Sequence, residues 1–272
     1  MISRDWMTIL GDKIMDAQKN FTKYEEIEFH NNLYRSQGML RDVQEKFYDR
    51  QTEDILVKHA LSQFGNLRGK DVLFYGSGID MSGILPFAYS NAKVTAIDIS
   101  EEAIRTVNNL IRMQKVDDSV SALQMDCESM TFPSERFDVV FGRSIIHHIN
   151  TDKAACEIYR VLKSKGKAIF IEPLGMNPLL NLYRYFTPKA RTKGEHPLRL
   201  HDMLILKKRF NIIYQKSFFL ISLMPIALKA VLKNNSFLNM LFNYLVKLDN
   251  FLFKAFPFLE KYAWCTIITL VK

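Results

Sequence analysis

Four places along the chain put polar groups where they could do chemistry. Gly76-Ser77-Gly78 follows a short apolar run, Asp71–Tyr75, and its missing side chains let a ligand approach the backbone and the start of the next helix. A second apolar run, Lys93–Asp98, ends on a carboxylate that could accept two hydrogen bonds from a ribose diol. A third, Val120–Met125, is followed by Asp126, about where an adenine amino group would lie if Asp98 holds the ribose. Each signal alone is weak, because Gly-x-Gly arises by chance and a strand-end Asp is often only a helix cap. Three of them at the ends of three successive runs point to an adenosine-type ligand. The fourth place is His147-His148, whose imidazoles could take a proton from an acceptor oxygen or nitrogen near neutral pH. One of two consecutive side chains after a core strand must point into packing instead.

The elements that must hold these groups follow from periodicity. Helical spacing runs through Tyr24–Tyr34 and Leu40–Phe64, with Gly65-Asn66 as a stop. Ser100 is a helix N-cap with Glu101 and Glu102 in the first turn. Phe137–Phe141 and Lys167–Ile171 read as further strands with a helix, Asp152–Leu162, between them. After Pro173 come helices at Asn177–Tyr185 and Asp202–Arg209, a strand at Phe210–Tyr214 and a closing β-rich run, Trp264–Val271. Strands alternating with helices of this length form βαβ units, so the fold class is α/β with a doubly wound, mostly parallel sheet. A nicotinamide dinucleotide uses the same layout, but its fingerprint needs a third glycine where Met81 stands, and Gly83 comes two residues late.

Composition narrows the function further. The 272 residues are 48% hydrophobic and 24% charged, which excludes disorder, collagen and coiled coil. Residues 1–175 hold 22 Lys+Arg and 25 Asp+Glu, whereas 176–272 hold 15 and 4, together with 16 of the 33 aromatic residues. A neutral part joined to a basic, aromatic part suggests a core plus a surface that meets something anionic or apolar. The bases are diluted among large apolar residues, which argues against nucleic acid. Three cysteines, Cys127, Cys156 and Cys265, make neither a disulfide framework nor a metal-ligand spacing, so a cytoplasmic setting without a bound metal is expected. The N-terminus has no signal-peptide core, and the longest uncharged, mostly apolar run, Phe218–Leu228, is too short to span a bilayer.

The segments VLFYGSGID (72–80), VTAIDISEEAI (94–104), LQMDCESMTFP (123–133), FDVVFGRSIIHHI (137–149) and EIYRVLKSKGKAIFIEP (157–173) resemble class I S-adenosylmethionine-dependent methyltransferases of the broad small-molecule type. The resemblance implies a Rossmann-like seven-stranded sheet with an antiparallel last strand, here Trp264–Val271. It assigns the cofactor S-adenosylmethionine to Tyr75, Gly76, Ser77 and Gly78 around its methionine part, Asp98 on the ribose and Ile99 on the adenine face. Asp126 and Cys127 would meet the adenine edge, and Gly142 and Arg143 the sulfonium end. Catalysis would fall to His147 or His148 as a base. Glu172, Arg191, Glu195 and His196 would face the acceptor, the last three within TPKARTKGEHPL (187–198). Two departures from the family stand out: Phe74 replaces an acid that helps orient the glycine loop, and Asp80 replaces a glycine, close to the cofactor's own carboxylate unless it turns away to cap the helix. They leave a non-catalytic cofactor-binding protein as one alternative and a nicotinamide enzyme as another.

The chain therefore reads as one domain, 1–272: an N-terminal helical cap (1–66), a cofactor-binding core (67–175) and an acceptor-side region (176–272). Within the last, an apolar, lysine-bearing helical insert at about 215–260 precedes the final strand. The insert suits a lid over a small, apolar or lipid-like acceptor, peripheral contact with a membrane surface or a homodimer interface. Asp249 inside it and Glu260 just past it interrupt an otherwise basic polar face and favour the lid. Oxygen is favoured over carbon or nitrogen as the methylated atom. Removal of the Asp98 carboxylate is expected to leave the fold intact.

Overall fold

The computed structural model describes residues 23–35, 50–187, 192, 194–232 and 236–272. Helices α1 (Lys23–Arg35) and α2 (Arg50–Ser62) precede the sheet. The sheet then alternates with helices: β1 (Asp71–Tyr75), α3 (Met81–Tyr89), β2 (Lys93–Asp98), α4 (Glu101–Met113), β3 (Val120–Gln124) and β4 (Phe137–Arg143). A 3₁₀ turn (Ile146–His148) leads to α5 (Thr151–Val161), β5 (Leu162–Pro173), α6 (Pro178–Phe186), α7 (Leu200–Arg209) and β6 (Asn211–Phe218). Helices α8 (Leu223–Leu232) and α9 (Ser236–Ala255), a second 3₁₀ turn (Pro257–Tyr262) and β7 (Cys265–Val271) complete it.

The seven strands lie in the order β3-β2-β1-β4-β5-β7-β6, with the first five parallel and β7 antiparallel to both neighbours. Strand order reverses between β1 and β4, so the crevice beyond their carboxyl ends is where a ligand is expected. Strands covered on both faces read as continuous apolar runs, which is why β1, β2 and β4 were visible in the sequence. Along β1, Val72 and Phe74 enter one core layer and Leu73 and Tyr75 the other.

Phe74 packs edge-on against Phe141 and Phe87, with ring centroids 5.2 and 6.3 Å away. That aromatic cluster, and not an acid, occupies the position where the family pattern departs. It also explains Gly83, where a Cβ would lie 2.9 Å from the Phe74 ring and 2.4 Å from the Asp80 carboxylate. Gly83 is a packing glycine, not a late member of a dinucleotide fingerprint.

Several boundaries differ from the sequence reading. β5 is longer at both ends, because Leu162 pairs with Phe137 of β4 at its start and Glu172 and Pro173 still pair with Thr266 and Cys265 of β7 at its end. β6 extends to Phe218, so the insert opens after that residue and not at 215. Lys216 hid the strand because β6 is an edge, where polar side chains are normal. In the Leu40–Phe64 stretch the helix is described from Arg50, and residues 40–49 lie outside the described part.

Candidate active site

The loop after β1 turns with Gly76 at φ +66° and Gly78 at φ +49°, a region that penalises any Cβ. A Cβ on Gly76 would overlap Ile145, and one on Gly78 would lie 2.7 Å from the Tyr34 hydroxyl. Ser77 N–H donates to the Ile97 carbonyl at 2.8 Å, and Gly78 N–H donates to Asp98 Oδ2 at 2.7 Å. Asp98 Oδ1 accepts from Ser100 N–H at 2.9 Å. The loop that lacks the family's acid is thus oriented by Asp98 itself.

Burial raises the Asp98 pKa, and the two amides oppose that shift. Each Asp98 oxygen keeps a second lone pair for a ligand hydroxyl. The expectation that Asp98 contributes little to the fold is corrected: its removal would strand two amide donors.

Asp80 turns away from the crevice. Its Oδ1 caps α3 by accepting from Gly83 N–H at 2.9 Å, and its Oδ2 pairs with Arg143 at 2.8 Å. Arg143 reaches Glu53 of α2 with its other arm at 2.9 Å, so its guanidinium is held in a carboxylate clamp. Gly142 makes room for Phe170, whose ring would lie 2.7 Å from a Cβ there, so packing alone accounts for it. The Tyr75 ring is buried and its hydroxyl donates to the Cys127 carbonyl at 2.8 Å, which leaves only the Tyr75 backbone toward the loop. Cys127 is buried, and burial pushes its thiol up. Ile99 is half-buried beside Asp98, and Met81, where a dinucleotide site needs glycine, is a buried core side chain.

Helix α1 supplies what the sequence reading missed. Lys23 pairs with Asp126 and, at 3.3 Å, with Glu128. Asn31 accepts from the Ser100 hydroxyl at 2.6 Å, and Tyr34 covers Gly78. Burial, then the nearby Asp98, Glu26 and Asp80 charges, push the Tyr34 phenol far up. Glu26, His30 and Tyr34 share one helix face by their spacing of four, the one local signal that could have marked them. Glu26 Oε1 lies 3.0 Å from both His30 Nε2 and His148 Nδ1. Burial would raise Glu26, but His148 and His30 hold its carboxyl at about 2. Burial lowers His148, and Glu26 beside it more than reverses this, so its net shift is upward.

The other histidine is differently placed. His147 is buried, with Nδ1 2.7 Å from Glu172 Oε2 and its carbonyl accepting from His196 N–H at 2.8 Å. Burial drives its imidazole well below the ordinary range. Glu172 is fully buried, accepts from the Ile145 and Ile146 amides at 2.9 Å each, and is raised by burial to about 7. The expectation that Glu172 faces the acceptor is corrected, because its oxygens are spent on holding the turn that carries the histidines. Glu195 is brought within 4.8 Å of ring nitrogens of both histidines, as the possible metal-ligating triad His147, His148 and Glu195. A second such triad is Glu26, His30 and His148. His196 is half-buried alongside, and Arg191 lies outside the described residues.

Two buried side-chain atoms here have no hydrogen-bond partner, Glu26 Oε2 and His30 Nδ1, while His148 Nδ1 has only its ionic contact with Glu26. Buried polar atoms are normally paired, and orphans gathered in one crevice are what a polar ligand would satisfy. With Asp98 and Asp126 as acceptors for hydroxyl and amino hydrogens, the donor and acceptor set fits an adenosine-bearing cation.

Residues 75–170 match the family described as Methyltransferase domain. Residues 75–170, about a third of the chain, thus carry a methyltransferase domain. That removes the nicotinamide alternative. The chain is 27% identical over 153 residues to a phosphatidylethanolamine N-methyltransferase of Cereibacter sphaeroides, covering 55% of this chain and 74% of that protein. It is 33% identical over 78 residues to a demethylmenaquinone methyltransferase of Bacteroides fragilis, covering 28% of this chain and 31% of that protein. Its fold matches a Haemonchus contortus phosphoethanolamine N-methyltransferase 2 solved with S-adenosyl-L-methionine, with TM-score 0.57 and 21% identity, over 80% of this chain and 52% of the other. The chain thus spans about three quarters of one of these relatives and about half or less of the others.

Proposed function

We propose that the protein transfers a methyl group from S-adenosylmethionine to a small, lipid-like acceptor, with oxygen favoured as the atom methylated. The observation that carries this reading is the alignment of Gly76–Gly78, Asp98 and Asp126 on three neighbouring strand ends within a methyltransferase domain. The lipid-like acceptor is supported by the named activities of the relatives and by the exposed apolar surface after β5. When bound, the cofactor supplies an electrophilic methyl on a sulfonium centre.

The chain's own residues do the rest. Asp98 would hold the ribose hydroxyls with its free lone pairs, and Ile99 would pack on the adenine. Asp126 and the Cys127 backbone would meet the adenine edge. Of the two histidines, His148 would take the proton, a reading supported by Glu26, which stabilises its charged form. His147 is the positioning residue: Glu172 fixes its ring and burial keeps it neutral. Positioning and exclusion of water supply most of the rate, and the base assists.

The test is calorimetry with S-adenosylhomocysteine on the parent and on Asp98→Asn, which keeps one oxygen for a backbone amide. The variant should lose about 1.5–3 kcal/mol of binding, the range for hydrogen bonds to a charged group. Equal affinity in a folded variant would remove the assignment. Methyl-labelled cofactor offered with detergent-dispersed aminophospholipid, quinol and sterol then reads the acceptor class, and labelling confined to water-soluble acceptors would reject the lipid reading.

A further inference from the structure

We infer that the outward face of α9 docks on an anionic lipid bilayer and so places the crevice at the membrane surface. Helix α9 is apolar on two faces. Leu238, Phe242, Leu245 and Phe253 are buried and account for one stripe. Phe237, Met240, Tyr244 and Phe251 form a second, at steps of three, four and seven, and each is more than 60% exposed. Lys247 and Lys254, both exposed, continue the same stripe. A helix that only covers a core needs one apolar stripe. A second stripe carrying lysine is the pattern of a helix lying in the plane of a membrane interface. No helix among the described residues is long and apolar enough to cross a membrane, so α9 would lie on the bilayer and not span it.

The charge on this face identifies the occupant. Asp249 is the one acid in α9, and in the sequence it interrupts the basic face. In the structure it is 2% exposed, its carboxylate accepting the N–H groups of Leu220, Ile221 and Ser222 and the Ser222 hydroxyl. The outer face of α9 is left with lysine and no acid. A second copy docked by two-fold symmetry would set this basic face against itself, which like charges oppose. Anionic headgroups neutralise it.

The position suits delivery of an acceptor. β6 ends at Phe218, and β7 begins at Cys265 opposite Pro173, the end of β5. Everything between β6 and β7 therefore springs from the carboxyl edge of the sheet, the edge that carries Asp98 and His148. Phe258, on the 3₁₀ turn after α9, extends the exposed apolar surface at 63%. The docking itself does not depend on the acceptor proposed above; only its use in catalysis rests on that reading.

The experiment is flotation of the full chain with phosphatidylcholine vesicles, with and without about 30 mol% phosphatidylglycerol, in low salt and in about 0.5 M salt. Binding is expected on the anionic vesicles, with apparent affinity falling about tenfold in high salt. The Phe237→Ser/Tyr244→Ser/Phe251→Ser variant should bind at least about tenfold more weakly, with S-adenosylhomocysteine affinity unchanged as the check on folding. The proposal is overturned if the parent does not float on anionic vesicles in low salt, or if the variant floats like the parent. It is also overturned if light scattering shows a self-association that the variant loses while neither protein floats. Vesicle binding without methyl transfer to any lipid would reject the acceptor reading and leave the docking intact.

Discussion

The two edges of the sheet handle charge in opposite ways. At the amino edge Asp138 accepts from Asp71 N–H at 3.0 Å and pairs with Lys163 at 2.8 Å and Lys70 at 3.2 Å, while Asp71 pairs with Arg136 and Lys163 at 3.0 Å. Both of these carboxylates have their cations. At the carboxyl edge Glu26, His30 and His148 crowd together and leave two buried atoms, Glu26 Oε2 and His30 Nδ1, without a partner. A polar cluster that only braces a fold completes its own bonds, whereas one that awaits a ligand leaves some open. The contrast separates scaffold from site without reference to any relative.

The sharpest way to break the contrast is to remove the base. His148→Gln should lower kcat by about 100-fold or more while S-adenosylhomocysteine still binds, as loss of a general base does. His147→Gln should instead lower the melting temperature, because it frees the buried Glu172 carboxylate. If both variants keep full turnover, proton transfer does not lie at this edge.

The pH profile is a finer probe. His148 must be deprotonated to accept a proton, so the rate should rise with pH through its folded pKa. Burial lowers that pKa, and Glu26, Glu195 and Glu172 raise it above the usual histidine value, with His147 and His30 also facing the ring. The acid limb should therefore lie on the alkaline side of ordinary histidine. Glu26→Gln should move the limb to lower pH, and a limb that stays in place would take Glu26 out of the site.

The smallest effect belongs to the amino edge. Burial works against Asp138, but Lys163, the Asp71 amide and Lys70 hold its carboxyl at about 2, below its ordinary 3.8. A depressed carboxylate stabilises the fold above its unfolded pKa, and that contribution fades as pH falls from about 3.8 through about 2. Asp138→Asn should cost about 0.5–1 kcal/mol near pH 7, screened as a partly exposed cluster is, and the difference should close by pH about 2. Cofactor affinity should not change.

The parts legible in the sequence carry local signals. Strands β1 to β4 announce themselves as apolar runs, and glycines or acids at their ends mark turns whatever the rest of the chain does. What was not legible depends on partners far away in sequence. Lys23 meets Asp126 across 103 positions, and nothing within α1 announces it. Glu172 reads as a strand-end acid facing a ligand until the Ile145 and Ile146 amides are seen to claim it. Asp249 counts as surface charge until three amides some 27 to 29 positions earlier bury it. The sign of a residue's contribution can be read from its type, but its address cannot.

The two ends of α1 set a rhythm for turnover. Lys23 pairs with Asp126 at one end, Tyr34 rests on Gly78 at the other, and every residue of the helix keeps part of its surface exposed. Tyr34 at Gly78 and Lys23 at Asp126 set the helix over two of the positions proposed to hold the nucleoside. Lifting the helix breaks ion pairs and hydrogen bonds, Glu26 with His148 and Asn31 with Ser100 among them, and no apolar core, so its opening is cheap compared with global unfolding. Swinging of one thirteen-residue bar, and not the making of a bond, then becomes the candidate clock of the cycle, and solvent viscosity should slow it.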